Sequence, residues 1–156
     1  MNTKTLLIGL GNPILTDDAI GVKVAFAVRD AGLPPNVDMI ELGNGGLTLM
    51  EHMIGYDRVV LVDAIMTQHG VPGRVYKLSM DQLPGTLNTS SAHDTNLKTA
   101  LNTGRRLGAA LPDDENIDIV AIEAEEVLTF GEQCTPAVEA AIPAAVRCVQ
   151  ELLKIE

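Results

Sequence analysis

Four side chains in this sequence have the types and positions to do chemistry together. Asp17 and Asp18 stand in "IGLGNPILTDDAIG", directly after a short apolar run. Asp63 closes the apolar run "RVVLVDA", and His93 stands in "SAHD". A carboxylate ending a fully apolar run is costly to bury without a partner, and strand-end acids otherwise reach solvent or loop amides. Ser91 begins an S-x-x-D capping pattern with Asp94, which puts His93 in the first turn of a helix. The positive end of the helix dipole disfavours imidazolium there, and a neutral imidazole is the form that binds metal. Asp18, Asp63 and His93 together make a three-ligand cation site with open positions, a donor set that suits zinc, nickel or ferrous iron. One acid is enough to cap the helix that follows the first run, so the adjacent acids divide: Asp17 (or Thr16) as cap, Asp18 as ligand.

A dinucleotide site is the competing reading of the same stretch. Gly9-x-Gly11 matches the start of the fingerprint, and Glu41 ends a second strand where a ribose-binding acid would sit. The third glycine is missing, since Ile14 occupies its place, and Pro13 removes a backbone donor. Two carboxylates at the helix start would also repel a pyrophosphate. Other catalytic patterns are absent: nothing matches HExxH, and Ser90, Ser91 and His93 are too close along one turn to form a serine triad. Cys134 and Cys148 lie in no CxxC pair and read as small core hydrophobes.

These residues need elements to position them. The 156 residues, 46% apolar, are enough for one domain with a real core, spanning 1–156 without repeat or linker. A net charge of −10, with 3% aromatics and no Trp, argues against nucleic acid and anionic membranes as partners and favours a cation or a basic protein surface. With no signal-peptide pattern and no membrane-length apolar segment, the expected location is the cytoplasm.

"TKTLLIGLG", "VDMIEL", "RVVLVDA" and "NIDIVAIEAE" read as strands, and "GRVYKLS" alternates like an edge strand. Ile20, Val24, Ala27, Val28 and Ala31 share one helical face, stopped by Gly32. "GNGG" reads as a flexible loop, "LTLMEHMIG" as a short helix closed by Gly55, and "LPGTLNTSS" as loop. Leu97, Leu101 and Gly104 share another helical face, with Leu107 close by. Thr135-Pro136 opens the last helix, which Pro143 kinks or breaks. The expected fold is therefore a three-layer α/β sandwich: a twisted, mostly parallel sheet with one antiparallel edge strand and helices on both faces. In such sheets ligands bind beyond the carboxyl ends of the strands, near the topological switch point, where Asp18 and Asp63 should lie.

The segments "LIGLGNPILTDDAIG", "VLVDAI" and "SAHD", in that order and spacing, resemble the hydrogenase maturation proteases, and "GEQCTPAVEAAIPAAV" resembles that family's closing helix. The resemblance runs over nearly the whole chain. It implies an endopeptidase that removes the C-terminal extension of a nickel–iron hydrogenase large-subunit precursor after nickel insertion. It also implies that the family's nickel ligands match Asp18, Asp63 and His93. The nickel is expected to arrive within the precursor, and zinc or another divalent cation could substitute. The partner is then the precursor alone, and the protein a monomer. A nickel-binding accessory protein without peptidase activity would use the same three ligands.

One stretch departs from the family pattern. Relatives tend to carry an acidic residue followed by Gly-Gly-Thr after the second strand, whereas this chain has "LGNGGLT", with Leu42 at the acidic position. The loop Gly43, Asn44, Gly45 and Gly46 is the expected substrate contact, so the departure bears on which hydrogenase is processed. Asp18 and Asp63 are the candidate catalytic groups. Two roles stay open: a metal polarising the carbonyl or its water, or a metal that only docks substrate while one carboxylate acts as general base. Carboxylates sharing a site titrate together, so neither role is assigned to one of them.

Overall fold

In the computed structural model, which describes residues 3–43, 45–82 and 97–155, five strands form one sheet in the order β2-β1-β3-β5-β4. These are β1 (Thr5–Leu10), β2 (Val37–Leu42), β3 (Arg58–Ile65), β4 (Val75–Ser79) and β5 (Ile117–Glu123). The first three and β5 run parallel, and β4 pairs antiparallel with β5 at one edge, as the alternating "GRVYKLS" predicts. The central strands read as unbroken apolar runs because helices cover both of their faces.

Side-chain alternation sorts each strand between two cores. Leu7, Val60, Val62, Val120 and Ile122 pack against α1 (Ile20–Ala31), α4 (Pro136–Ala140) and α5 (Ile142–Leu153). Leu6, Ile8, Val59, Leu61 and Ile119 pack against α2 (Gly46–Met53) and α3 (Leu97–Arg106). Each fully buried aliphatic contributes roughly 1.5–3 kcal/mol by leaving water. Pro143 does divide the last helical stretch: α4 stops at Ala140, and Pro143 sits in the first turn of α5, where its missing N–H costs no helical bond.

Some local expectations shift. Val22 and Ala25 join the buried face of α1, while Ala27 is half-buried and Ala31 is exposed in the last turn. Leu107 follows the end of α3 and is exposed, because Gly108 turns the chain away with φ +87°. Cys134 and Cys148 are free and half-buried against the first core rather than inside it. The Ser91–Asp94 capping pattern, the "LPGTLNTSS" loop, Asn44 and His93 lie outside the described residues. Among the described residues, no helix is long and apolar enough to cross a membrane.

Candidate functional site

From β1 the chain passes through α1 to β2 on one side, while β3 flanks β1 on the other. The gap between β1 and β3 is therefore the topological switch point. Asp18 follows β1 and Asp63 lies near the end of β3, so the structure brings both acids to this end of adjacent strands.

Glycines make that approach feasible. A Cβ on Gly21 would lie 2.3 Å from the Val62 carbonyl oxygen and 2.5 Å from that of Leu10. A Cβ on Gly11 would lie 1.9 Å from the Asp18 carbonyl oxygen. The glycines of the opening motif thus let the first turn of α1 and the segment before it press on the ends of β1 and β3. They make room for protein backbone rather than for an anion. The Gly11 amide then donates to Leu42 O at 2.9 Å, joining the ends of β1 and β2.

Between Gly11 and α1, residues Thr16–Ala19 form one 3-10 turn. Neither Thr16 nor Asp17 caps α1; Ala19 holds the N-cap position without a side-chain bond. The buried Asp17 carboxylate instead reaches across the molecule. Its Oδ2 accepts from the amides of Glu125 and Glu126 at 2.9 and 3.0 Å and from Thr135 Oγ1 at 2.8 Å, while Oδ1 accepts from the Thr135 amide at 2.7 Å. Asp17 is therefore a tether for the connection between β5 and α4.

The bonds of Asp18 and Asp63 include local amides. Asp18 Oδ2 accepts from Asn12 N at 2.9 Å, and Asp63 Oδ1 accepts from Ala64 N at 2.8 Å. Both side chains are buried, so Asp63 does not reach solvent at the strand end. Among the described residues no three His, Cys, Asp or Glu side chains cluster closely enough to hold a metal by themselves. Two hard carboxylate donors at one sheet end fit a divalent cation that other groups help to bind.

The expected substrate loop lies at the same end, because it follows β2, whose Leu42 pairs with Leu10 of β1. Only part of it is loop. Gly45 is the N-cap of α2, and Gly46 is its first residue with φ +61°, a conformation that favours glycine.

Glu123 ends an apolar strand as Asp63 does, and the strand-end rule that singles out Asp63 applies to it equally. It is buried at the end of β5, where its carboxylate accepts from Thr67 N at 2.7 Å, Thr67 Oγ1 at 2.6 Å and Tyr76 OH at 3.0 Å. A Cβ on Gly70 would lie 2.1 Å from that carboxylate, so the β3–β4 connection wraps tightly around it. Glu123 thus secures a loop, as Asp17 does. Cys134 offers no nucleophile: burial, only partly offset by Lys23, pushes its thiol up to about 11, and its Sγ lies 3.7 Å from Thr16 O. A concavity lined by Thr5, Asn36, Arg58 and Asp118 lies at the amino ends of the strands and contains none of the candidate residues.

Fold and site together define an α/β sandwich with buried carboxylates at its switch point. Comparison with known proteins narrows that class. The sequence profile of the hydrogenase maturation proteases matches residues 22–152. The hydrogenase 2 maturation protease of Escherichia coli K12 is 29% identical over 153 residues, covering 97% of this chain and 91% of that protein. The solved structure of the hydrogenase maturating endopeptidase HybD from E. coli superposes with a TM-score of 0.82 at 30% identity, covering 97% of this chain and 92% of that one. The [NiFe] hydrogenase maturation protease HybD from Thermococcus kodakarensis gives 0.73 at 27% identity, covering 96% and 99%. The chain belongs to the hydrogenase maturation protease family, and its role is that of a peptidase in hydrogenase maturation.

Proposed function

We propose that this protein removes the C-terminal extension of a nickel–iron hydrogenase large-subunit precursor once nickel has been inserted, and that Asp18, Asp63 and His93 recognise the nickel. The observation that carries the reading is the burial of Asp18 and Asp63 at the switch point of the sheet, where α/β folds present their ligands. The nickel is part of the substrate, held by the precursor and contacted by this chain through carboxylate and imidazole.

The hydrolysis is assigned to water activated at the carboxylate pair. One carboxylate takes a proton as the water oxygen bonds to the scissile carbonyl carbon. The same proton then passes to the departing amide nitrogen as the C–N bond breaks. Asn12 N fixes the Asp18 carboxylate for this role, and Ala64 N fixes that of Asp63. The glycines Gly43, Gly45 and Gly46, with Asn44 among them, receive precursor backbone beside the pair.

The test mixes purified protein with nickel-loaded or nickel-free precursor and follows the mass of the large subunit. Only the loaded precursor should shorten. Asp18→Asn, Asp63→Asn and His93→Ala should each suppress cleavage, and the exposed Glu41→Ala should not. Equal cutting of the nickel-free precursor overturns nickel recognition, and full activity in His93→Ala overturns the ligand set. Binding of the loaded precursor without any shortening points instead to an accessory, non-peptidase role.

A further inference from the structure

A second surface lies immediately beside Asp18. Gly131 N donates to Ile14 O at 2.8 Å, Thr16 N donates to Gly131 O at 2.9 Å, and Thr16 Oγ1 donates to Thr129 O at 2.5 Å. This short parallel bridge aligns residues 14–16 with 129–131. It leaves three large apolar side chains in solvent: Ile14 is 48% exposed, Leu128 76% and Phe130 77%. The chain has only two Phe residues, so exposing one on a rim is a poor use of it unless something covers it.

The rim is also fixed in place. The Asp17 carboxylate holds the Glu125 and Glu126 amides, Asp17 N donates to Glu126 O at 2.9 Å, and Lys23 Nζ donates to Glu132 O at 2.8 Å. A partner landing here would have little loop ordering to do, which favours affinity. The segment 125–132, "EEVLTFGE", carries three Glu and no Lys or Arg, in a chain of net charge −10. The chemistry that complements it is an apolar stretch with basic flanks.

We propose that the rim of Ile14, Leu128 and Phe130 docks the part of the precursor's C-terminal extension that adjoins the bond to be cut, through apolar side chains framed by basic ones. The proposal rests on the peptidase reading above, and it adds a second substrate contact on a surface separate from the Gly43–Gly46 loop. Binding along the rim would lead the extension past Thr16 to Asp18, two residues away in the chain.

The experiment measures precursor binding apart from cleavage, using nickel-loaded precursor with its extension and the same subunit lacking it. Leu128→Ser/Phe130→Ser should weaken binding of the full precursor about tenfold or more, as truncation of interface anchors does. KM should rise by a similar factor while kcat at saturating precursor stays near wild type, and the melting temperature should hold because both side chains are exposed. Glu125→Lys should weaken binding as well, most clearly at low salt. The proposal is overturned if the double variant binds the full precursor as tightly as wild type, or if the extension adds nothing to wild-type affinity. It is also overturned if wild type is a dimer that the double variant splits, since the rim then belongs to a second copy. A wild-type protein that binds through the rim without cutting refutes the peptidase reading alone.

Discussion

Replacing Asp17 tests whether the two adjacent acids have separate jobs. Asp17 is 0% exposed, and its carboxylate accepts from three backbone amides and one hydroxyl. Asp17→Ala strands the amides of Glu125, Glu126 and Thr135; the Thr135 hydroxyl can rotate to another acceptor. An unsatisfied buried donor costs about 1–3 kcal/mol, and these three lie at the partly buried end of that range, so the loss should be about 3–5 kcal/mol. For a chain of this length each kcal/mol lowers the melting temperature by about 2–4 °C, which predicts a fall of about 6–20 °C. Asp17→Asn keeps an oxygen toward the three donors at Oδ2 but turns an NH2 onto the Thr135 amide, so its cost should be smaller, about 1–3 kcal/mol. Thermal and chemical denaturation of wild type, Asp17→Asn and Asp17→Ala give the order directly. An Ala variant that melts within about 2 °C of wild type refutes the tether, and an Asn variant weaker than Ala refutes its geometry.

Other outcomes follow from single contacts. Gly21→Ala should destabilise by about 1–3 kcal/mol despite the better helix propensity of Ala, because its Cβ meets carbonyl oxygens at 2.3 and 2.5 Å that belong to strand backbone; denaturant midpoints check it. Gly45→Val should change which precursor is accepted more than it changes the melting temperature, since Gly45 is extended (φ −100°, ψ −151°) and lies outside the left-handed region that favours glycine; paired melts and cleavage assays on two precursors decide. Tyr56 OH donates to Asp38 Oδ2 at 2.7 Å, and that bond, with burial and the carboxylate's charge, pushes the phenol up to about 12 from 10.0. The folded state holds this proton more tightly than the unfolded one, so the contribution is complete below about pH 10 and lost as pH rises through about 12. Ultraviolet titration should show a late phenol transition, and Tyr56→Phe should remove it.

Elements were legible in the sequence where a local rule suffices. "VDMIEL" is β2 residue for residue, because a short segment rich in apolar residues between Pro34-Pro35 and the glycines after Leu42 has few alternatives. Pro143 marks the break between α4 and α5, because proline cannot donate in a helix interior whatever surrounds it. The strand-end positions of Asp18 and Asp63 were also legible, since they require only that two apolar runs be neighbouring parallel strands. The task of Asp17 was not. Its partners are 108 to 118 residues away in sequence, and no pattern around "TDDA" encodes them. A local rule therefore offered the nearest helix as the thing to cap, and tertiary bonds outweighed it.

The same limit explains the glycines of "IGLGNPILTDDAIG". Read locally, they form a cradle, and two acids in a cradle suggest a cation as its contents. Read in the fold, Gly11 and Gly21 are small because Asp18 O, Leu10 O and Val62 O stand where a side chain would be. That close packing has a consequence for the pair of acids. In a 3-10 turn successive side chains are about 120° apart, so adjacent acids must face different surroundings. With the turn pressed on the strand ends, Asp17 is directed to the β5–α4 connection and Asp18 to Asn12 beside β1. Swapping the roles would require rotating the turn, which the Gly11 and Gly21 contacts forbid. The motif is thus better understood as a device that separates two carboxylates than as a seat for one ligand, and a substitution at either glycine should disturb both acids together.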